Sequence, residues 1–239
     1  MPELTVAERC RELTDRFGIP RRSSEKLNAL LKLVLTGPSS LTNVRDPNQA
    51  TEIHIADSLA GLAIPELRAA ERIADLGSGG GFPGLVLAIA LPDAEVTLVE
   101  SAERKADFLR ETAEALTLEN VVVVAQRAEL WALEARAQDV VTSRALAAMP
   151  ILLEYAAPLL QVGGSLVAWK GNLTEEERAD GAFAAAELQM SEPEEVEVPA
   201  DLVRGADRRE LVTSTKLAAT PDRYPRRPGI ARKRPLTER

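Results

Sequence analysis

Apolar residues in the first quarter of the chain recur with a helical period. Leu27, Leu30, Leu31, Val34 and Leu35 fall at i, i+3, i+4, i+7 and i+8, one face of a helix. Ser23 or Ser24 offers its cap, and Thr36-Gly37-Pro38-Ser39-Ser40 breaks it. Residues 3–17 read as an earlier helix that Gly18 and Pro20 stop. A third helix starts near Pro47, a favourable first-turn residue, and carries Ile53, Ala56, Leu59, Ala60 and Leu62 before Pro65. Residues 1–65 are therefore expected to form a helical cap.

The pattern then changes. Short apolar runs read as strands at residues 72–76, 95–100, 120–125, 138–143 and 164–169. Helical stretches separate them at 83–91, 102–116 and 150–160, and another follows at 175–188. Two further strands are read at 194–199 and 210–216, with no clear helix between them. Continuous apolar strands alternating with helices predict an α/β domain over 66–219, with a doubly wound, mostly parallel sheet of seven strands covered on both faces. The last two strands fit a hairpin, which would bring an antiparallel strand into that sheet. Residues 220–239, where prolines mix with charges, read as a flexible basic tail.

Composition narrows the chemistry. Cys10 and His54 are the only cysteine and histidine, so a Cys/His zinc site is excluded and no metal is expected. Cys10 sits in a charged helical stretch and reads as a small packed side chain. The first residues mix charges and no apolar run suffices for a membrane helix, so a cytoplasmic monomer without membrane contact is the expectation.

The net charge of −8 argues against a chain that coats DNA. The charge is uneven, however. Residues 220–239 hold seven basic and two acidic side chains, a net +5, and the remainder carries −13.

In a doubly wound sheet, ligands bind at the carboxyl ends of the strands. There the first strand runs into Asp75-Leu76-Gly77-Ser78-Gly79-Gly80-Gly81-Phe82-Pro83-Gly84, and Glu100 closes the second. Gly79, Gly81 and Gly84 match the spacing of a dinucleotide loop, but start late for one. Asp75, Gly77, Gly79 and Gly81 match the register of an S-adenosylmethionine loop directly, and Glu100 suits two ribose hydroxyls. The fold expected is thus the Rossmann-like class I methyltransferase fold, with a nicotinamide-dependent oxidoreductase as the alternative. Ala128 and Glu129 follow the third strand, where such enzymes contact adenine, and Arg144 follows the fourth, at the catalytic mouth.

A Cys-dependent pyrimidine C5 mechanism is disfavoured, because Cys10 is far from every strand end. Ser143-Arg144-Ala145-Leu146 lacks the tetrapeptide common in exocyclic-amine methylation. An acceptor with a free lone pair, such as a purine N7, fits what remains, with Arg144 or Lys170 orienting the base. A small-molecule methyltransferase and a non-catalytic S-adenosylmethionine sensor stay open.

Five blocks resemble the bacterial small-subunit rRNA methyltransferase G family, also called glucose-inhibited division protein B. They are Leu41-Thr42-Asn43-Val44-Arg45-Asp46-Pro47 with His54-Ile55-Ala56-Asp57-Ser58; the loop Asp75–Gly84; Ser143-Arg144-Ala145; Trp169-Lys170-Gly171; and Tyr224-Pro225-Arg226-Arg227-Pro228-Gly229 with Pro235-Leu236. The resemblance implies N7 methylation of a guanine, position 527 in the 530 loop of 16S rRNA, on the 30S subunit. It puts cofactor contacts on Gly77, Phe82, Ala128, Glu129 and Arg144. His54 has two readings: a helix residue bonded to Asp57 or Asp75, or a contact to substrate. Before Leu41 the chain departs from the family pattern, with Gly37-Pro38-Ser39-Ser40 where aromatic-Asn pairs are common. RNA contact is expected from the tail, Arg144, Lys170, Arg21, Arg22 and Arg45.

Overall fold

A computed structural model describes residues 4–38, 41–171, 173–198 and 210–238. The predicted start of the first helix, Ser39, Ser40, Pro199 and Arg239 lie outside them.

Helices α1 (Val6–Phe17) and α2 (Ser23–Thr36) open the chain. Thr5 and Glu8 cap α1 reciprocally, each side chain taking the other's backbone amide. The third predicted helix is compound. It begins as α3 (Pro47–Ala50) with Asp46 as cap, widens to a π turn over Thr51–Ala56, and returns as α4 (Asp57–Ala60). A 3₁₀ turn and α5 (Pro65–Arg68) lead into the sheet.

The sheet comprises β1 (Arg72–Leu76), β2 (Glu95–Val99), β3 (Val121–Val124), β4 (Gln138–Arg144), β5 (Leu160–Lys170), β6 (Glu194–Glu197) and β7 (Glu210–Thr215). Their order is β3-β2-β1-β4-β5-β7-β6. The first five are parallel; β7 inserts antiparallel between β5 and β6. The hairpin expectation holds, and the strand order reverses between β1 and β4, which fixes where a ligand crevice opens. Helices α6 (Gly84–Ala90), α7 (Glu103–Ala115), α8 (Ala128–Trp131), α9 (Met149–Ala156) and α10 (Glu175–Glu187) connect or cover the strands. The short α5 and α8 were not expected, because four residues carry too little periodicity to read.

Aliphatic side chains fill two clusters. One joins the cap to the sheet: Leu13, Leu27, Leu30, Ile55 and Leu59 are fully buried together with Leu85, Leu87, Ile73 and Leu98. The other packs α9 and α10 against β4, β5 and β7 through Leu153, Val141, Leu166, Ala184 and Val212. Among the described residues, the cap shares its core with the sheet. Cys10 belongs to this first cluster, and burial pushes its thiol up to about 11, so it is no nucleophile at neutral pH.

The tail differs from its sequence reading as flexible. Tyr224 and Ala231 are buried in the second cluster. Arg226 pairs with the buried carboxylate of Glu154, and Arg223 pairs with Glu187 at 2.5 Å. A short helix, α11 (Ile230–Lys233), follows Gly229. The composition is tail-like, but its arginines find carboxylates already in place on α9 and α10.

One expectation follows from the shared core. Leu30→Ala empties a fully buried site and should cost about 2–5 kcal/mol. Denaturant unfolding followed by circular dichroism and by tryptophan fluorescence should give coincident curves, with cap and sheet melting together.

Candidate active site

The chain reverses sharply after β1. Gly77 adopts φ 72, and the amides of Gly77 and Ser78 both donate to the carbonyl of Val99, at 2.8 and 3.3 Å. This folds the loop over the end of β2, where Glu100 sits 8% exposed. Its carboxylate accepts the Gly79 amide at 3.0 Å and the Ala102 amide at 2.8 Å. Loop and carboxylate thus form one rim, and the carboxylate keeps further lone pairs for a ligand hydroxyl.

Asp75 lies below that rim, not in it. It is fully buried, accepting the Gly84 amide at 3.2 Å and the Thr142 hydroxyl at 3.0 Å. Burial raises its pKa to about 6, against the hydrogen bonds from Ser78, Thr142 and Gly84. A Cβ at Gly84 would stand 2.3 Å from Leu98 Cδ2 and 2.7 Å from Asp75 Oδ2, so only glycine permits this approach. Asp75, expected among the cofactor contacts, has one carboxylate oxygen on the Gly84 amide and the other on the Thr142 hydroxyl, so it helps to build the loop.

Arg144 ends β4 at the mouth of the crevice. One guanidinium nitrogen donates to the Ile53 carbonyl at 2.8 Å and to Asp57 Oδ2 at 3.0 Å. The other lies 3.3 Å from His54 Nδ1. Phe82 stacks on the His54 ring, centroids 4.5 Å apart and planes 10° apart, and also meets Arg144 at 5.3 Å. Guanidinium only donates, so Nδ1 accepts, and Nε2–H points at the Thr42 hydroxyl 2.7 Å away. That hydroxyl also accepts the Val44 amide at 3.1 Å.

The bonding expected for His54 is therefore corrected: Thr42 and Arg144 hold the ring, while Asp57 and Asp75 do not. Burial, with the Arg144 charge beside it, lowers its pKa to about 4. The ring is neutral at pH 7 and acts there as a spacer between cap and loop rather than as an acid.

The π turn explains the reach of Arg144. The Asp57 amide bonds the carbonyl of Glu52, five residues back, which releases the Ile53 carbonyl for the guanidinium. Trp169 Nε1 fixes the same helix through the Asp57 carbonyl at 2.7 Å. Lys170 differs from Arg144: its amine is held by Glu177 at 2.6 Å and by the Ala147 carbonyl at 3.2 Å. Arg22 borders a separate cavity with Asp93 and Asn120, residues that precede β2 and β3, so it stands at the opposite end of the strands.

Two cavities flank the end of β4. A larger one, about 420 Å³, is bordered by Ile53, Asp57, Arg144, Trp169, Lys170 and Leu211. A smaller one, about 70 Å³, is bordered by Gly77, Ser101, Ala128, Glu129, Leu146 and Arg232. Glu129 is 5% exposed. The sequence-predicted loop, Glu100, Ala128 and Glu129 thus come together on one side, with Phe82, His54 and Arg144 between that side and the larger cavity. Thr42, Asp57, Leu146 and Arg232 were not singled out as site residues. The three-residue spacing of Asp57 from His54 was a readable signal for one of them. For Arg232 the sequence held none.

The fold is that of class I S-adenosylmethionine-dependent methyltransferases. A solved precorrin-6y C5,15-methyltransferase from Geobacter metallireducens superposes with a TM-score of 0.52 at 13% identity, covering 76% of this chain and 93% of that one. Residues 23–208 match the family described as rRNA small subunit methyltransferase G (GidB). A ribosomal RNA small subunit methyltransferase G of Rubrobacter xylanophilus is 44% identical, covering 97% of this chain and 92% of its own. One from Thermotoga neapolitana is 37% identical over 95% and 98%. The chain belongs to the rRNA small subunit methyltransferase G family, whose cofactor is S-adenosylmethionine.

The depressed pKa of His54 gives a signed expectation. Between about pH 6.5 and 4 the unfolded chain binds a proton there that the folded chain refuses. Its contribution is complete above 6.5 and is lost as pH falls toward 4. Asp75, raised to about 6, works in the opposite sense over an overlapping range. Wild type should therefore lose on the order of 1–3 kcal/mol relative to His54→Gln between pH 7 and 4, measured by urea unfolding at each pH.

Proposed function

We propose that this protein methylates N7 of a guanine in 16S rRNA, position 527 of the 530 loop, acting as a cytoplasmic monomer on the 30S subunit. The observation that supports the reading best is the position of Arg144. It stands between the glycine-loop side and a cavity large enough for a nucleobase. Gly77, Gly79, Gly81, Phe82, Glu100, Ala128 and Glu129 would hold S-adenosylmethionine, which supplies an electrophilic methyl group when bound.

Guanine N7 carries an in-plane lone pair and no proton, so its methylation needs no general base. The protein's task is then to orient the ring and exclude water. Arg144 suits guanine through O6, which accepts from a guanidinium while N7 keeps its lone pair for the methyl group. Trp169, Ile53 and Leu211 give the cavity apolar walls, and Asp57 offsets positive charge that develops on the methylated ring. His54 and Thr42 hold Arg144 and Phe82 in place. Lys170, fixed on Glu177, shapes the mouth.

The test is methyl transfer from labelled S-adenosylmethionine to 30S subunits from a strain lacking this enzyme, with the modified base mapped. Label at guanine N7 is expected. Label elsewhere, or transfer only to small molecules, overturns the proposal. Arg144→Ala should lower kcat/KM by roughly 100-fold, given the cost of a misplaced reactant.

A further inference from the structure

The C-terminal segment was expected to meet RNA through its charge, yet three of its arginines also bond groups of the protein itself. Arg223 and Arg226 pair with Glu187 and Glu154, and Arg232 donates to the Leu146 carbonyl at 3.0 Å. Arg232 borders the smaller cavity with Gly77, Ala128 and Glu129. The Leu146 side chain lies against Gly77, where an added Cβ would come within 2.7 Å of Leu146 Cδ1. The Gly229 amide, with φ 81, donates to Glu129 Oε1 at 2.8 Å. Tyr155 borders the same cavity; burial and Glu129 raise the pKa of its hydroxyl while Arg232 opposes the rise.

We infer that residues 229–234 are a positioning element of the cofactor pocket: Arg232 holds Leu146 over Gly77, and the Gly229 amide aims Glu129. This rests on the reading of that pocket as the S-adenosylmethionine site. The chemistry follows from the partners. The Ser143–Leu146 turn passes through Ala145 at φ 55, a conformation that a non-glycine residue holds only under external restraint. Arg232 supplies a charge-assisted donor to the very next carbonyl. Glu129, nearly buried, would otherwise have more than one rotamer in which to miss its ligand. The segment thus acts on cofactor affinity, separately from any contact its outward residues make with RNA.

The experiment is calorimetric titration of full-length protein with S-adenosylmethionine and S-adenosylhomocysteine. Wild type, Arg232→Ala, Arg232→Lys and Arg227→Ala are compared, with folding checked by circular dichroism. Arg227 is exposed in the same segment and controls for loss of charge. Arg232→Ala should weaken both ligands by about five-fold or more, the loss expected for one partly solvated charge-assisted bond. Arg232→Lys should recover part of the loss, Arg227→Ala should bind as wild type, and affinity for 16S rRNA at fixed salt should stay within about two-fold. Wild-type cofactor affinity in Arg232→Ala, or an equal loss in Arg227→Ala, overturns the inference. If Arg232→Ala fails to fold, wild-type cofactor affinity in a Leu146→Ala variant that does fold overturns it as well. Failure of wild type to bind either ligand defeats the reading of the pocket instead.

Discussion

A guanidinium with little access to water is tolerable only when its donors are met, and Arg144, carried on the sheet, is met by the cap and the glycine loop. The cap gives a carboxylate, a carbonyl and an imidazole nitrogen through Asp57, Ile53 and His54. The glycine loop gives the face of Phe82. The sheet gives the strand end that carries Arg144 itself. Removing the guanidinium would leave Asp57, 1% exposed, without its opposite charge, so cap, loop and strand depend on one group.

That dependence explains why cap and sheet share a hydrophobic cluster. A rigid-body shift of the cap by an ångström would break the bonds at Asp57 and Ile53 together. The close packing of α4 and the following turn on the sheet prevents it: a Cβ at Gly61 would stand 2.4 Å from the Trp169 ring. The same tryptophan bonds Asp57 and walls the larger cavity, so packing and chemistry meet in one residue.

The fold was legible because its elements are long and periodic. The leucine spacing of α2 and the valine runs of β3 and β4 were readable, and the lack of a helical sequence pattern between the last two strands marked the hairpin. The loop and Glu100 were legible from register along β1 and β2. For Asp75 the motif recorded that a carboxylate is present, but not that its oxygens meet Gly84 and Thr142. His54 was assigned the wrong partners because helical spacing shows neighbours on the same helix, whereas Thr42 and Arg144 approach from other segments. The tail was misread because charge and proline describe an isolated segment. Nothing in its composition reveals Glu154 or Glu187 waiting on other helices.

The π turn at Thr51–Ala56 bears on how this chain can vary. A π turn holds one residue more than the α-helical path it interrupts. Losing Ile55 or Ala56 would restore ordinary helix, return the Ile53 carbonyl to the helix's own ladder, and leave His54 two positions from Asp57, where helical residues do not share a face. His54 and Asp57 could no longer address Arg144 together. Between Pro47 and Gly61 the chain is therefore constrained in length more tightly than in composition, and outward-facing side chains there are free to change where a one-residue deletion is not.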